Sequence, residues 1–248
     1  FYIYCTARRK AMNVMPAVDI RGGNAVRLVQ GDYDKETVFG SPKDFAEEWV
    51  RQGSSHLHLV DLDGAKAGYP VNLDLVQEII NHCGVEIQLG GGLRSLESIQ
   101  AVVALGVNRF IVGTSAISDS ELLEQLAEKY AAELIVSVDI RGDFVAVSGW
   151  LEDSSIRATD FFVDLEKVGV KRIIYTDIER DGVATGPNLE MCEYITGQTN
   201  LSLIVAGGVS SISDIAELKS IGAEGVIIGR ALYTGDVNLS DALEVARG

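Results

Sequence analysis

QLGGGLRSLESIQAVVALGVNRFIVGTSA (88–116) and VAGGVSSISDIAELKSIGAEGVIIGRAL (205–232) are two versions of one pattern. They align without a gap: Gly91 and Gly92 fall on Gly207 and Gly208, Gly106 on Gly222, and Gly113 on Gly229, at a constant offset of 116 (207 − 91). Asp61 and Asn72 fall on Asp177 and Asn188 at the same offset. Further forward, AVDIRGG falls on SVDIRGD and carries Asp19 onto Asp139, an offset of 120 (139 − 19). The second half of the chain therefore restates the first. A repeat of this length is too long for a solenoid unit. It fits two half-barrels of four strand–helix units each.

Outward from the repeat, strand-like and helix-like runs alternate from end to end. Short, β-branched, almost continuously apolar runs lie at 13–19, 56–61, 85–89, 109–113, 133–139, 171–177, 201–206 and 225–229. Such runs suit parallel strands covered on both faces. Between them, DFAEEWVRQG, NLDLVQEIINHCG, SLESIQAVVALG and SISDIAELKSIG begin near Ser, Asp or Asn and end near Gly, the asymmetry of helix caps. Eight such units predict a single α/β domain, a (β/α)8 barrel with two-fold half-barrel symmetry. An open doubly wound sheet is the alternative, but no GxGxxG follows the first strand.

Composition bounds the function. The 248 residues suit one barrel, and no apolar run reaches the roughly 18 residues of a membrane span. A net charge of −15 argues against nucleic acid and anionic membrane as partners. An anionic ligand would need locally positive potential from backbone N–H groups and a few Arg. Cys5, Cys83 and Cys192 show neither CxxC nor zinc spacing, and read as reduced thiols of a cytoplasmic protein. His56 and His58 form an HxH with no third ligand nearby, and read as strand packing rather than a metal site. Residues 1–11, FYIYCTARRKA, read as a non-native or unstructured extension ahead of a domain at 12–248.

Candidate chemistry gathers at the strand ends. Gly91-Gly92 and Gly207-Gly208 each follow a strand and precede a Ser-started helix; Gly113-Thr114 and Gly229-Arg230 end the next strands. Glycine lets backbone approach an anion, and barrels commonly bind phosphate after strands seven and eight. The repeat adds an equivalent site after strands three and four, so a ligand with two phosphates is expected. Asp19 and Asp139 end strands one and five and should face each other across the mouth, an acid and a base on either side of a substrate. Thr176 could bond a substrate hydroxyl. Asp181 is either a third carboxylate or the start of a DG turn. Trp150 follows a short hairpin-like stretch, GDFVAVSGW (142–150), and either stacks on a flat ligand ring or packs under its loop. The long loops at 21–41 and 141–157 are candidate lids.

In order and spacing, PAVDIRGGNAVRLVQGDY (16–33), HLVDLDGA (58–65), QLGGGLRS (88–95), VGTSA (112–116), VSGW (147–150), TDIERDG (176–182), AGGVSS (206–211) and GRALY (229–233) resemble the phosphoribosylformimino-aminoimidazole-carboxamide ribotide isomerases. The resemblance covers 12–247. It implies an Amadori rearrangement of an aminoaldose bearing a phosphate at each end. Asp19 matches the base acting at C2′, Asp139 the acid at the ring oxygen, and Thr176 and Asp181 the groups assisting proton traffic. Arg27, Arg94 and Trp150 join the glycine positions as substrate or phosphate contacts. No metal or organic cofactor is implied, and a self-contained barrel suits a monomer.

Val183 departs from the family, which has Thr there. The related cyclase subunit of imidazole glycerol phosphate synthase places Cys at Ala17 and Lys at Arg27, and lacks the SGW loop. A dual-specificity isomerase also acting on phosphoribosyl anthranilate has Ser at Gly90 and Arg at Ser148. A non-catalytic sugar-phosphate sensor would need neither Asp19 nor Asp139.

Overall fold

The computed structural model describes residues 11–147, 149, 150 and 152–248. Cys5 and the rest of the 1–10 segment lie outside the described residues, as does Ser148. The strands are β1 (Asn13–Arg21), β2 (Asn24–Val29), β3 (Asp32–Gly40), β4 (His56–Asp61), β5 (Glu86–Gly90), β6 (Arg109–Val112), β7 (Leu134–Arg141), β8 (Phe144–Val147), β9 (Glu152–Arg157), β10 (Arg172–Asp177), β11 (Ser202–Ala206) and β12 (Gly225–Ile228). Eight of them pair in parallel as a ring, β1–β4–β5–β6–β7–β10–β11–β12, and β12 pairs back onto β1. The expected (β/α)8 barrel is the observed one.

Strand alternation divides the interior in two. Val14, Val18 and Ile20 of β1, and Leu57 and Leu59 of β4, are buried outward beneath the helices. Met15, Ala17, Ile111, Ile135, Ile174, Ile204 and Ile227 form a separate cluster inside the ring. The barrel is thus a packed plug below and open only above. Cys83 and Cys192 are buried free thiols in the outer layer. His56 bonds Ser55 and lies 3.3 Å from Glu86.

The repeat is visible in the caps. Ser95 and Ser211 close capping boxes on α4 (Leu96–Leu105) and α9 (Ile212–Ile221), and left-handed Gly106 and Gly222 end those helices. The rim is tied the same way in both halves. Asp61 accepts from Gly64 N (2.8 Å), Val71 N (2.6 Å), Asn72 N (2.9 Å) and Asn72 Nδ2 (2.7 Å). Asp177 accepts from Glu179 N and Asn188 Nδ2, both at 3.1 Å. Hydrogen bonds to a charged acceptor are worth about 1.5–3 kcal/mol each, so these carboxylates fix the loops around them.

One feature differs from the sequence reading. The stretches 21–41 and 141–157 are largely strand, not loop. β2 and β3 fold back on β1, and β8 and β9 on β7, all antiparallel. Gln30 and Gly31 both take positive φ (50° and 72°), which makes VQGD a two-residue primed hairpin turn. Three short helices were also unanticipated: α2 (Leu62–Ala67), capped by Asp61, and α5 (Thr114–Ser118) and α10 (Arg230–Thr234), each of these two opening directly from a strand-end glycine.

Close approach is what Gly91 provides. A Cβ there would lie 2.1 Å from the Asp61 carbonyl oxygen, whereas at Gly222, also left-handed, it would meet nothing within 4 Å. Gly91→Ala should therefore cost about 3 kcal/mol or more in urea unfolding, and Gly222→Ala about 1–2 kcal/mol. Equal losses would mean that backbone conformation alone selects glycine at 91.

Candidate active site

A cavity of about 350 Å³ opens at the carboxyl ends of the parallel strands. Its floor includes Ala17, Ile111, Ile174 and Ile227 from the inner plug. Asp19, Arg27, Gly91, Gly92, Arg94, Gly113, Asp139, Trp150, Thr176, Asp181, Gly207, Gly208, Gly229 and Arg230 all border it. Thr114, the remaining residue anticipated for the site, opens α5 beside Gly113, and its side chain lies outside what is described.

Ring order sets the geometry. Between β1 and β7 stand three strands either way round, so Asp19 and Asp139 approach the cavity from opposite walls. The glycine pairs are opposed likewise: β5 and β6 carry one set, β11 and β12 the other. Gly113 (φ −112°, ψ −105°) and Gly229 (φ −101°, ψ −103°) share one backbone conformation. The repeat is therefore structural at the site itself.

The two aspartates have unlike surroundings. Asp19 Oδ2 accepts from Arg27 Nη1 at 2.6 Å. Arg27 comes from β2, folded back over β1, and its Nη2 donates to Ala17 O at 2.9 Å. A Cβ on Gly229 would lie 2.5 Å from Arg27 Nη2, so this glycine leaves room for the guanidinium. Arg27, anticipated as a phosphate contact, is thus engaged with Asp19. Burial pushes the Asp19 carboxyl above its usual range, and Arg27 opposes that rise. Asp139 accepts instead from Ser137 Oγ at 3.1 Å, and bonds Trp150 and its register neighbour Thr176. Burial pushes its carboxyl up as well, with those neutral donors opposing.

Asp181 lies on the loop after β10, with its amide bonded to Asp177 O at 3.0 Å. Burial pushes its carboxyl up to about 6; Arg27 pulls it down, and Asp19 and Asp139 push it further up. Three carboxyl groups therefore share one electrostatic neighbourhood. Three loops also meet over the mouth. The Trp150 ring packs on Gly31, where a Cβ would be 2.6 Å from Cε3. Gly182 lies against Leu28 and Gln30, and Arg230 donates to Gly182 O. Arg94 instead donates to Ala65 O at 2.8 Å on the opposite rim.

Sequence reading missed His58 and Ser137 as lining residues. Nδ1 of His58 is 2.7 Å from Gln88 Nε2, and burial, reinforced by Arg27, lowers its pKa to about 3, so the imidazole is neutral. Alternation carried the signal: with Leu57 and Leu59 buried outward, His58 must face the ring interior.

The chain matches the family described as "Histidine biosynthesis protein" over residues 13–238. It is similar to proteins named 1-(5-phosphoribosyl)-5-((5-phosphoribosylamino)methylideneamino) imidazole-4-carboxamide isomerase. The one from Oceanobacillus iheyensis is 45% identical over 94% of this chain and 98% of its own length. Those from Acetivibrio thermocellus and Microcystis aeruginosa are 43% and 46% identical, covering 95% and 94% of this chain and 100% and 93% of their own lengths. This chain belongs to the histidine biosynthesis protein family.

Proposed function

We propose that this chain is an aldose–ketose isomerase of histidine biosynthesis, acting on the aminoaldose named in its relatives through acid–base catalysis by Asp19 and Asp139. The observation that carries the reading is the pair of unlike aspartates on opposite walls, set between two matching glycine cradles. The relatives' name contains two phosphoribosyl groups. One phosphate would lie against Gly91, Gly92, Gly113 and Thr114, the other against Gly207, Gly208, Gly229 and Arg230.

Roles follow from the surroundings. A guanidinium at 2.6 Å favours the ionised form that a base needs, against the rise that burial causes. Asp19 therefore takes the proton from C2′ of the opened sugar. A buried carboxyl bonded by hydroxyls and an indole can hold a proton, as an acid must. Asp139 therefore protonates the ring oxygen as the C1′–O bond breaks. Thr176 keeps Asp139 oriented, and Asp181 serves the same proton traffic. Trp150, over Gly31, has a ring face available to the imidazole carboxamide. The protein works in the cytoplasm as a monomer, without metal or organic cofactor.

Turnover of the purified chain on the histidine-pathway aminoaldose tests the assignment, with phosphoribosyl anthranilate as the control substrate. The first should be converted and the second not; conversion of both would establish a dual-specificity enzyme, and of neither would overturn the reading. Asp19→Asn and Asp139→Asn should each lower kcat about 10³-fold or more while binding the ketose product within a few fold. Parallel loss of binding and folding would remove both residues from catalysis.

Asp181 supplies a separate pH signature. Its folded value of about 6 lies above the ~3.9 of an unfolded chain. The folded state binds this proton more tightly, so stability falls as pH rises from about 4 through 6. Asp181→Asn should raise the unfolding free energy near pH 8 by about 1–2 kcal/mol and change it little near pH 4. The same gain at both pH values would show that Asp181 is not the buried acid described.

A further inference from the structure

Tyr233 lies in α10 behind the cavity wall, three residues beyond Arg230, and does not border the cavity. Its hydroxyl donates to Ala17 O at 3.0 Å, the same carbonyl that accepts Arg27 Nη2 at 2.9 Å. Its ring lies 5.1 Å from Arg27 Cζ, within cation–π range. The ring is itself held from two other elements. Phe39 of β3 sits at 4.6 Å between centroids; Phe45 and Trp49 of α1 (Pro42–Arg51) sit at 5.0 and 5.7 Å. Arg27 Nε is buried with no hydrogen-bond partner. The plane of the guanidinium is therefore set by two Nη contacts and by the ring beneath it.

We propose that Tyr233 is a positioning residue for the isomerisation: its aromatic face orients Arg27 so that Nη1 meets Asp19. The proposal rests on the reading of Asp19 as the base. A guanidinium can turn about its Cδ–Nε bond, and with Nε unbonded only the two Nη contacts resist that turn. The ring face adds a third restraint, beneath the plane. It also ties the base to the β2–β3 hairpin and α1 through the aromatic cluster, so the pair is fixed from four elements. The charged and titratable groups that bear on Asp19 are Arg27 from β2, Tyr33 from β3, Tyr233 from α10 and Asp181 from the loop after β10. Of these only Arg27 favours the ionised form. If Arg27 turns away, Asp19 keeps its proton to higher pH, and the acid limb of kcat/KM moves up with it.

The experiment uses the full chain carrying Tyr233→Met, Tyr233→Phe, or a ring-fluorinated phenylalanine at 233, which keeps the shape but weakens the π face. Two readouts are taken: the pH profile of kcat/KM on the aminoaldose, and the carboxyl ¹³C titration of Asp19, assigned with Asp19→Asn. The Met and fluorinated variants should raise both the acid limb and the Asp19 titration by about one pH unit, the scale of one cation–π contact, with kcat falling and KM little changed. Tyr233→Phe should bring both midpoints back to the wild-type pH. Folded Met and fluorinated variants with unmoved midpoints would overturn the proposal and leave Tyr233 a packing residue. If Tyr233→Met does not fold, the fluorinated ring decides. If the wild type does not turn over the aminoaldose, the functional reading fails, while the Asp19 titration still tests the clamp.

Discussion

Asn13 to Pro16 pair in parallel register with Gly225 to Ile228, and that ladder turns an eight-strand sheet into a ring. Closure removes both sheet edges and brings eight strand ends to one mouth. It also turns a sequence offset into a geometric relation. Residues about half the chain apart become opposite, because three strands lie between one and its counterpart either way round. The facing aspartates and facing glycine cradles are consequences of that closure. Neither would follow in an open sheet, where equivalent positions lie side by side along one edge.

Two-fold symmetry explains the ligand's two ends better than its middle. Gly113 and Gly229 repeat each other to within a few degrees in ψ and about ten in φ, and Ser95 and Ser211 repeat a capping box. Catalysis needs the opposite, two groups of the same kind in different states. Asp19 receives an arginine and Asp139 receives hydroxyls and an indole. The asymmetry comes from position 27 and the turn beyond β8, on the hairpins that extend β1 and β7, and from Ser137 and Thr176 on the ring strands. Local charge answers the puzzle of an acidic protein with an anionic substrate. The cavity is lined by three Arg and three Asp in a chain of net charge −15, and burial raises the pKa of all three of those carboxyls. Any proton they retain leaves the mouth positive relative to the surface.

The strands were legible because parallel strands buried on both faces are nearly pure apolar runs, and their ends fell within two residues of those read from sequence. The glycine positions were legible because the repeat printed them twice. The hairpin beyond β7 was legible in part, as the hairpin-like stretch GDFVAVSGW (142–150); the one at 24–40 was not, since charged residues such as Asp32, Asp34, Lys35 and Glu36 interrupt the alternation and mask the VQGD turn. Arg27 was recognised as a site residue, but its partner was not, because nothing in sequence says which way β2 folds back. In sequence Tyr233 is only the last residue of GRALY (229–233). Its neighbours Phe39, Phe45 and Trp49 lie almost two hundred residues away in sequence and come together only when the ring closes.

Backbone strain gathers where the loops meet. Among the described residues, three non-glycine residues have positive φ: Gln30, Trp150 and Ala184. They stand in the β2–β3 turn, the loop beyond β8 and the loop after β10, three segments that border one mouth. Each such residue costs on the order of 1 kcal/mol or more. The contacts that offset this are the ones between the loops: Trp150 on Gly31, Gly182 against Leu28 and Gln30, and Arg230 on Gly182 O. No loop is held by its own sequence alone. Glycine at 31 follows from the same logic, since the Trp150 ring occupies the place a side chain would take. The mouth is therefore a coupled unit in which a change in one loop is felt by the other two, and Asp181, carried on one of them, is placed over the cavity only while all three remain together.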